Sequence, residues 1–470
     1  MALRFYNTLT QELEPFHPQK DNTVRMYTCG PTVYNFVHIG NFRTFTFQDL
    51  LRRWLRYRGY ALDHVMNVTD VDDKIIINAA KEHKSLPDYT AVYTKAFFED
   101  AAALRLEQPE HVASATKHIS EMVGAIEMLE AKGATYTNDG STYFRISSFP
   151  GYGKLSHNDF SGIRAGARVD VDEYDKADAR DFVLWKGRKG DEPYWPTPFG
   201  DGRPGWHIEC SAMAMSYLGE TLDIHAGGVD LVFPHHENEI AQSETITGKP
   251  FAKFWLHSEH LQIESQKMSK SLGNFYTLRD LLDMDYAPEA IRYLLAQVPY
   301  RKKLNFTFEG LRAAQKSIER IRDFELRISS AILPAGRNQA IAARSAEAIG
   351  QFEEAMDDDL NTAEAMAAVF EYVRALNIAL DENQLQEENR WDVAKVLEVF
   401  DTVFDVLKPS ELPGKAAPGL TDAEVEGLIE ERNLAKKARD FKRSDAIRNS
   451  LLDKGVILED TKDGVRWKRK

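Results

Sequence analysis

The stretch Val24-Arg25-Met26-Tyr27-Thr28-Cys29-Gly30-Pro31-Thr32-Val33-Tyr34, running on to His38-Ile39-Gly40-Asn41, decides the architecture. Val24 to Cys29 reads as a short buried strand, a Gly-Pro loop follows, and Phe47, Leu50, Leu51 and Leu55 then fall at helical spacing. Tyr60 to Val68 returns as a strand. The result is a strand-helix-strand unit of a parallel α/β sheet, with His38-Ile39-Gly40-Asn41 where the first loop enters the helix. Such sheets bind ligands beyond the C-terminal ends of their strands, and free N–H groups at a helix N-terminus suit phosphate oxygens.

Working outward, Thr221 to His225 and Phe254 to His257 are further strand candidates, flanking a helical stretch from about Pro234 to Ser243. The sheet therefore resumes after an insertion, roughly Glu110 to Pro204, where Gly, Pro, Ser and aromatic residues become dense. Tyr143, Phe144, Phe182, Leu184 and Trp185 give that insertion core material. From Leu278 the texture turns to long helical periodicity. Leu311, Ile318, Ile321 and Leu326 fit one apolar stripe and Leu360 to Leu380 another, which predicts a helical bundle. Pro409, Pro413 and Pro418 mark a linker, and Thr421-Asp422-Ala423-Glu424 has the capping-box pattern that opens a small C-terminal module.

At 470 residues the chain has room for roughly two to four domains. No stretch approaches the length of a membrane span, and MALRFYNTLTQE lacks the basic-then-apolar pattern of a signal peptide, so the cytoplasm is the expected location. Cys29 and Cys210 are too few and too distant for a disulfide framework. The formal charge of -14 argues against a general nucleic-acid binder. From Arg432 to Lys470, however, thirteen Lys or Arg face six Asp or Glu. Charge alone fits both a solvated helix face with a basic end and a surface for phosphates.

Two clusters carry chemistry. The loop Lys267-Met268-Ser269-Lys270-Ser271, followed by Leu272-Gly273-Asn274, is cationic and has little to offer a core. Cys29, Cys210, His235 and Glu239 are all ligand types zinc accepts, and the last two stand four apart on a predicted helix, sharing one face. They fit a metal site; they also fit two small buried thiols beside a solvated pair. A zinc peptidase is disfavoured, because in His235-His236-Glu237-Asn238-Glu239-Ile240 the second histidine of His-Glu-x-x-His is missing at Ile240.

His38-Ile39-Gly40-Asn41 and Lys267 to Ser271 together resemble the signature pair of class I aminoacyl-tRNA synthetases, which implies ATP bound between them. When an amino-acid carboxylate attacks the α-phosphate, charge builds on the phosphorus oxygens and departing pyrophosphate. By that resemblance His38, Asn41, Lys267 and Lys270 are catalytic, Gly40 and Ser269 complete the ATP site, and Mg²⁺ comes with the nucleotide. Cys29-Gly30-Pro31-Thr32-Val33-Tyr34, Asn67-Val68-Thr69-Asp70-Val71-Asp72-Asp73-Lys74, Gly202-Arg203-Pro204-Gly205-Trp206-His207-Ile208-Glu209-Cys210 and Asp359-Leu360-Asn361-Thr362 narrow the resemblance to the cysteinyl-tRNA synthetase family, over nearly the whole chain. Thr197-Pro198-Phe199 departs slightly from the family's usual Ser-Pro-Trp and bears on the packing of the insertion.

That resemblance implies one zinc per chain on Cys29, Cys210, His235 and Glu239, joined by the substrate thiolate, with Thr69, Trp206 and His225 at the amino-acid pocket. It implies a Rossmann-like parallel-sheet catalytic domain (1–109 and 205–260) with an inserted connective subdomain (110–204). The signature-loop and stem-contact region (261–310), a helical tRNA-binding bundle (311–408), a linker (409–420) and a small basic α+β anticodon module (421–470) follow. L-cysteine, ATP and tRNA(Cys) are the expected partners of a monomer. Two alternatives share the catalytic half. A ligase joining cysteine to an amino sugar generally lacks the extended C-terminus. A non-catalytic sensor is expected to have lost a charged signature, and neither is lost here. Trp467, among cations, suits either base stacking or a core.

Overall fold

A computed structural model describes residues 2–158, 181–268, 273–410, 422–461 and 464–469, grouped in two compact units, Met1–Lys408 and Pro409–Lys470. Five parallel strands form the centre of the first: β1 (Thr23–Thr28), β2 (Ala61–Val68), β3 (His111–Ser114), β4 (Leu222–Gly228) and β5 (Ala252–Ser258). Their order is β3-β2-β1-β4-β5, so the chain reverses direction across the sheet between β1 and β4, where His225 pairs with Tyr27 and Ala226 with Thr28. A doubly wound sheet opens its ligand crevice at that switch point. Cys29 follows β1 there, and Gly228 ends β4.

The helices beside this sheet are α1 (Ile39–Tyr57), α2 (Leu86–Ala103), α3 (Trp206–Leu218) and α4 (Glu237–Thr247). Phe47, Leu50, Leu51 and Leu55 are buried on α1 as their spacing predicts, but so are Arg43, Gln48, Asp49 and Arg52. The helix is enclosed on nearly all sides, which its stripe alone does not reveal. Arg292 shows how polar groups are accommodated in this interior: its guanidinium donates to the carbonyls of Leu104 and Phe404 and to the Asp49 carboxylate, tying the sheet-side helix to the helical region.

The structure moves two readings of the sequence. His111–Ser114 is the edge strand of the parallel sheet, paired with Val65–Val68, so the sheet continues past residue 110 before the insertion begins. The insertion then builds a four-stranded antiparallel sheet from Thr135–Asn138, Ser141–Phe144, Phe182–Gly187 and Gly202–Pro204. Within the helical texture after Leu278 lies a strand, Leu304–Phe306, parallel to Leu261–Ile263, which in turn pairs with Gln266–Lys267. Glu264 and Ser265 turn that hairpin with φ of 47° and 62°.

Helices Phe308–Ser330, Gln339–Asp357, Thr362–Asp381 and Asn389–Phe404 make the bundle. The stripe on the first runs through Leu311, Ala314, Ile318, Ile321, Phe324 and Ile328, whereas Leu326 is 39% exposed. Asp359 is a junction: its carboxylate accepts from the Tyr6 N–H (2.8 Å), the Tyr300 hydroxyl (2.6 Å) and Arg301 Nε (2.6 Å). The second unit has helices Asp422–Lys437 and Phe441–Asp453 and a hairpin of Val456–Thr461 with Gly464–Arg469. Its core is Val425, Ile447, Leu451, Val456 and Leu458, with Trp467 half-buried against it. Thr421 of the expected capping box lies outside the described residues.

Candidate active site and metal centre

Donor atoms of Cys29, Cys210, His235 and Glu239 all lie within 4.8 Å of one another, and all four residues are buried. Three elements bring them together. Cys29 follows β1, Cys210 lies on α3, and His235 stands in a wide helical turn, Val232–His236, that leads into α4 and Glu239. The expected helix is thus broken at its start, yet His235 Nε2 still meets Glu239 Oε1 at 3.0 Å. Around them, His207 Nδ1 contacts His235 Nδ1 at 2.9 Å, and the Trp206 ring stacks on His235 with centroids 4.1 Å apart. His225 Nε2 meets the other Glu239 oxygen at 2.8 Å.

The electrostatics ionise two of these donors, Cys210 and Glu239, and leave protons on Cys29 and His235. Burial pushes the Cys29 thiol well above its ordinary value. Its hydrogen bond to Cys210 pulls the Cys210 thiol down to about 6, against burial and with help from His235. Burial also works against the Glu239 carboxylate, but His225 and His235 outweigh it and bring that group down to about 2. Burial works against the His235 cation too, yet Cys210 and Glu239 raise it to about 10. Two thiols, an imidazole and a carboxylate fit a divalent metal, which would take the place of the protons on Cys29 and His235.

A second, overlapping set of donors is Cys29, His225, His236 and Glu239. His236 Nε2 lies 3.3 Å from Cys29 Sγ, and its other nitrogen meets His257 Nε2 at 2.8 Å, which continues to Thr8 Oγ1 at 2.7 Å. Both ring nitrogens of His236 are thus engaged, and burial holds His236 and His257 well below the usual imidazole range, neutral and suited to relaying hydrogen bonds.

From this cluster a cleft leads to the N-terminus of α1. Cys29 and Trp206 line a cleft of about 950 Å³, open mouth included, that also takes in His38 and Asn41. His38, Gly40 and Asn41 line a neighbouring one of about 1200 Å³, its open mouth included, with Lys267, Met268 and Lys303. His38, Asn41, Thr44, Asp230 and Phe275 belong to both, making one continuous cleft. His38 caps α1, its Nδ1 accepting from the Asn41 N–H at 3.2 Å. The segment after the lysine loop lies against it: the Ile39 N–H donates to the Tyr276 carbonyl, and the Phe275 ring packs edge-on to His38. A Cβ on Gly40 would stand 2.9 Å from Met268 Cε, so the two signatures approach as closely as glycine allows.

At the other end, Gly30 has no room for a side chain. Its Cβ would sit 1.8 Å from the Asn67 carbonyl oxygen. Gly30→Ala is therefore expected to force β1 and β2 apart at the end that carries Cys29, costing about 1–3 kcal/mol, read as a lower urea midpoint.

A family profile described as "tRNA synthetases class I (C) catalytic domain" matches residues 15–316, and one described as "DALR domain" matches residues 351–408. A cysteine–tRNA ligase of Solibacter usitatus is 63% identical over 470 residues, covering 100% of each chain. One of Koribacter versatilis is 55% identical over 498 residues, again covering 100% of each. The chain belongs to the cysteine–tRNA ligase family. The fold is also that of a Mycobacterium tuberculosis methionyl-tRNA synthetase solved with methionyl-adenylate, with a TM-score of 0.61 at 14% identity over 82% of this chain and 90% of that one.

For a cysteine–tRNA ligase family member the placement of the expected residues is informative. Cys29, Cys210, His235 and Glu239 converge; His38, Gly40, Asn41 and Lys267 share the cleft; Ser269 and Lys270 lie outside the described residues. Of the three residues expected at the amino-acid pocket, Trp206 lines the cleft, while Thr69 and His225 are buried behind its wall. Thr69 donates to Glu209, and His225 holds Glu239. Thr69 Oγ1 and His225 Nε2 are committed to carboxylates, which turns them inward. His236 and His257 were not singled out from sequence; the His235-His236 doublet was the available signal for the first, and nothing marked the second. No helix among the described residues is long and apolar enough to cross a membrane.

Proposed function

We propose that this chain activates L-cysteine with ATP, supplied as its Mg²⁺ complex, and passes the cysteinyl group to the 3′ end of tRNA(Cys), with one zinc ion on Cys29, Cys210, His235 and Glu239 selecting the thiol. The observation that carries this reading is the single cleft joining the four-donor cluster to His38 and Lys267. A small amino acid anchored near Cys29 and Trp206 can turn its carboxylate toward a phosphate held at the N-terminus of α1. There the helix N–H groups, His38, Asn41, Lys267 and Lys270 stabilise charge on the phosphorus oxygens and pyrophosphate. Gly40 and Ser269 complete the nucleotide site.

Zinc supplies a Lewis acid that ionises a thiol, with its ordinary pKa of about 8.5, far more readily than a hydroxyl, for which water at about 15.7 is the measure. Packing alone separates substrates differing by one small apolar group only about 10–200-fold. His225 and His207 keep Glu239 and His235 aimed at the cluster, and Thr69 fixes the neighbouring Glu209. The bundle (311–408) and the basic module (421–470) serve tRNA, and the family resemblance adds a monomer working in the cytoplasm.

The deciding experiment compares transfer of labelled cysteine to purified tRNA with transfer to an amino sugar, with zinc measured on the same sample. We expect charged tRNA and about one zinc per chain. Preferential transfer to the sugar would replace the acceptor assignment, and full activity in a metal-free sample would remove the zinc.

A further inference from the structure

Gln48 lies on α1, facing away from the cleft chemistry. It is 1% exposed, and neither its amide oxygen nor its amide nitrogen has a hydrogen-bond partner among the described residues. Buried amides are nearly always paired, because an unpaired one gives up its hydration for nothing. This amide lines a cavity of about 480 Å³, open mouth included, bounded by α1, α2 and β2. Phe45, Met66, Phe97 and Leu106 supply apolar wall, and the exposed lining residues Ala102 and Gln108 mark the side that meets solvent.

The charged groups around the cavity are already satisfied. Arg52 donates to Glu107, Glu110 and His64, and His64 in turn meets Thr28. Asp49 accepts from Arg53, Arg292 and the Glu107 N–H. A charged guest would therefore lose its water and gain no counter-charge. What the interior walls leave open is one buried planar amide, that of Gln48, donor and acceptor side by side in apolar surroundings, while the Gln108 amide stands at the solvent side.

We infer that this cavity is a second ligand site, separate from the catalytic cleft, for a small neutral ring carrying an adjacent donor and acceptor on one edge, such as a lactam or a pyrimidine-type base. A cis-lactam pairs with both halves of a primary amide at once. The lining follows the pattern of small-molecule sites, apolar walls with a few placed polar groups. Phe45 lines both this cavity and the catalytic cleft, so the two sites stand back to back across one ring.

The test uses the full chain with 2-pyridone as probe and 1-methyl-2-pyridone, which lacks the N–H, as its matched control. Calorimetric titration is run in solution, and the same compounds are soaked into crystals. 2-Pyridone is expected to bind with its lactam edge on Gln48, and to weaken about tenfold or more on methylation or in Gln48→Leu. Gln48→Leu removes an unpaired buried amide and should fold at least as well as the parent. Ala102→Phe, a change at the exposed mouth, should block entry without touching the interior. Ordered water alone on the amide at saturating probe, or an affinity unchanged in Gln48→Leu, overturns the site. The readout is binding, so it stands or falls separately from the cysteine-transfer assay.

Discussion

Cys210→Ser is expected to empty the metal centre and to remove cysteine activation while leaving ATP binding nearly intact. Cys210 is buried on α3, and its thiol is drawn down to about 6 by its hydrogen bond with Cys29 and by His235. At neutral pH it is already the thiolate that a metal requires. Serine is close in size, so the packing of α3 is retained, but its hydroxyl keeps its proton and makes a poor ligand beside a borderline-soft ion. Changes to residues that merely support a metal ligand typically cost about 10–100-fold in affinity. Loss of a ligand itself should exceed that, so zinc should fall from about one per chain to a trace after dialysis. Cysteine-dependent pyrophosphate exchange should drop by more than about a hundredfold with it. His38, Asn41 and Lys267 lie farther along the cleft, so nucleotide binding, followed by equilibrium dialysis, should change little. A Cys210→Ser protein that keeps both its metal and its exchange activity would take Cys210 out of the centre.

The parts of this centre that could be read in the sequence share a physical property: they are rare residue types beside strands. Two cysteines in 470 residues, each close to a predicted element, already suggest a common destination, and the i, i+4 spacing of His235 and Glu239 survives the wide turn that breaks their helix. His257 was invisible because a histidine at a strand's end has no local signature; its part emerges only when β5 lies beside β4 and Thr8 reaches it from the N-terminal segment. The same holds for the fold. The strand-helix-strand unit follows from local pattern, but the order β3-β2-β1-β4-β5 is a matter of long-range pairing. His111–Ser114 is four residues long and only partly buried, and Leu304–Phe306 is three, too short for alternation to register. Leu326 shows the complementary limit: by spacing it reads as part of a stripe that in fact passes through Phe324 and Ile328. Trp467 is open to two readings from composition, and its half-buried position against the small core of the second unit shows that packing claims at least part of the ring. Gln48 was beyond reach altogether, since a polar residue on a helix looks solvated until its neighbours are known.

The α1 end of the cleft supports the other large effect, and the capping role of His38 allows a kinetic effect to be separated from stability. His38 Nδ1 accepts from the Asn41 N–H, so the ring carries its proton on Nε2, as a donor suited to a phosphate oxygen. His38→Ala removes both functions. It should lower stability by about 1 kcal/mol through the lost cap and slow cysteine-dependent pyrophosphate exchange about a hundredfold to a thousandfold, the usual consequence of deleting one preorganised donor. His38→Asn separates them. Asparagine is among the best N-caps, so its carbonyl can take the helix N–H and hold the unfolding midpoint near the parent value, while the imidazole donor is gone. A protein that melts like the parent and exchanges like His38→Ala places the effect in the transition state. Full activity in His38→Asn would reduce His38 to a cap. Lys270→Ala should reproduce the kinetic loss. A lysine that acted only by attracting ATP would instead raise KM for ATP and leave kcat unchanged, because uniform binding does not lower the barrier from the bound state.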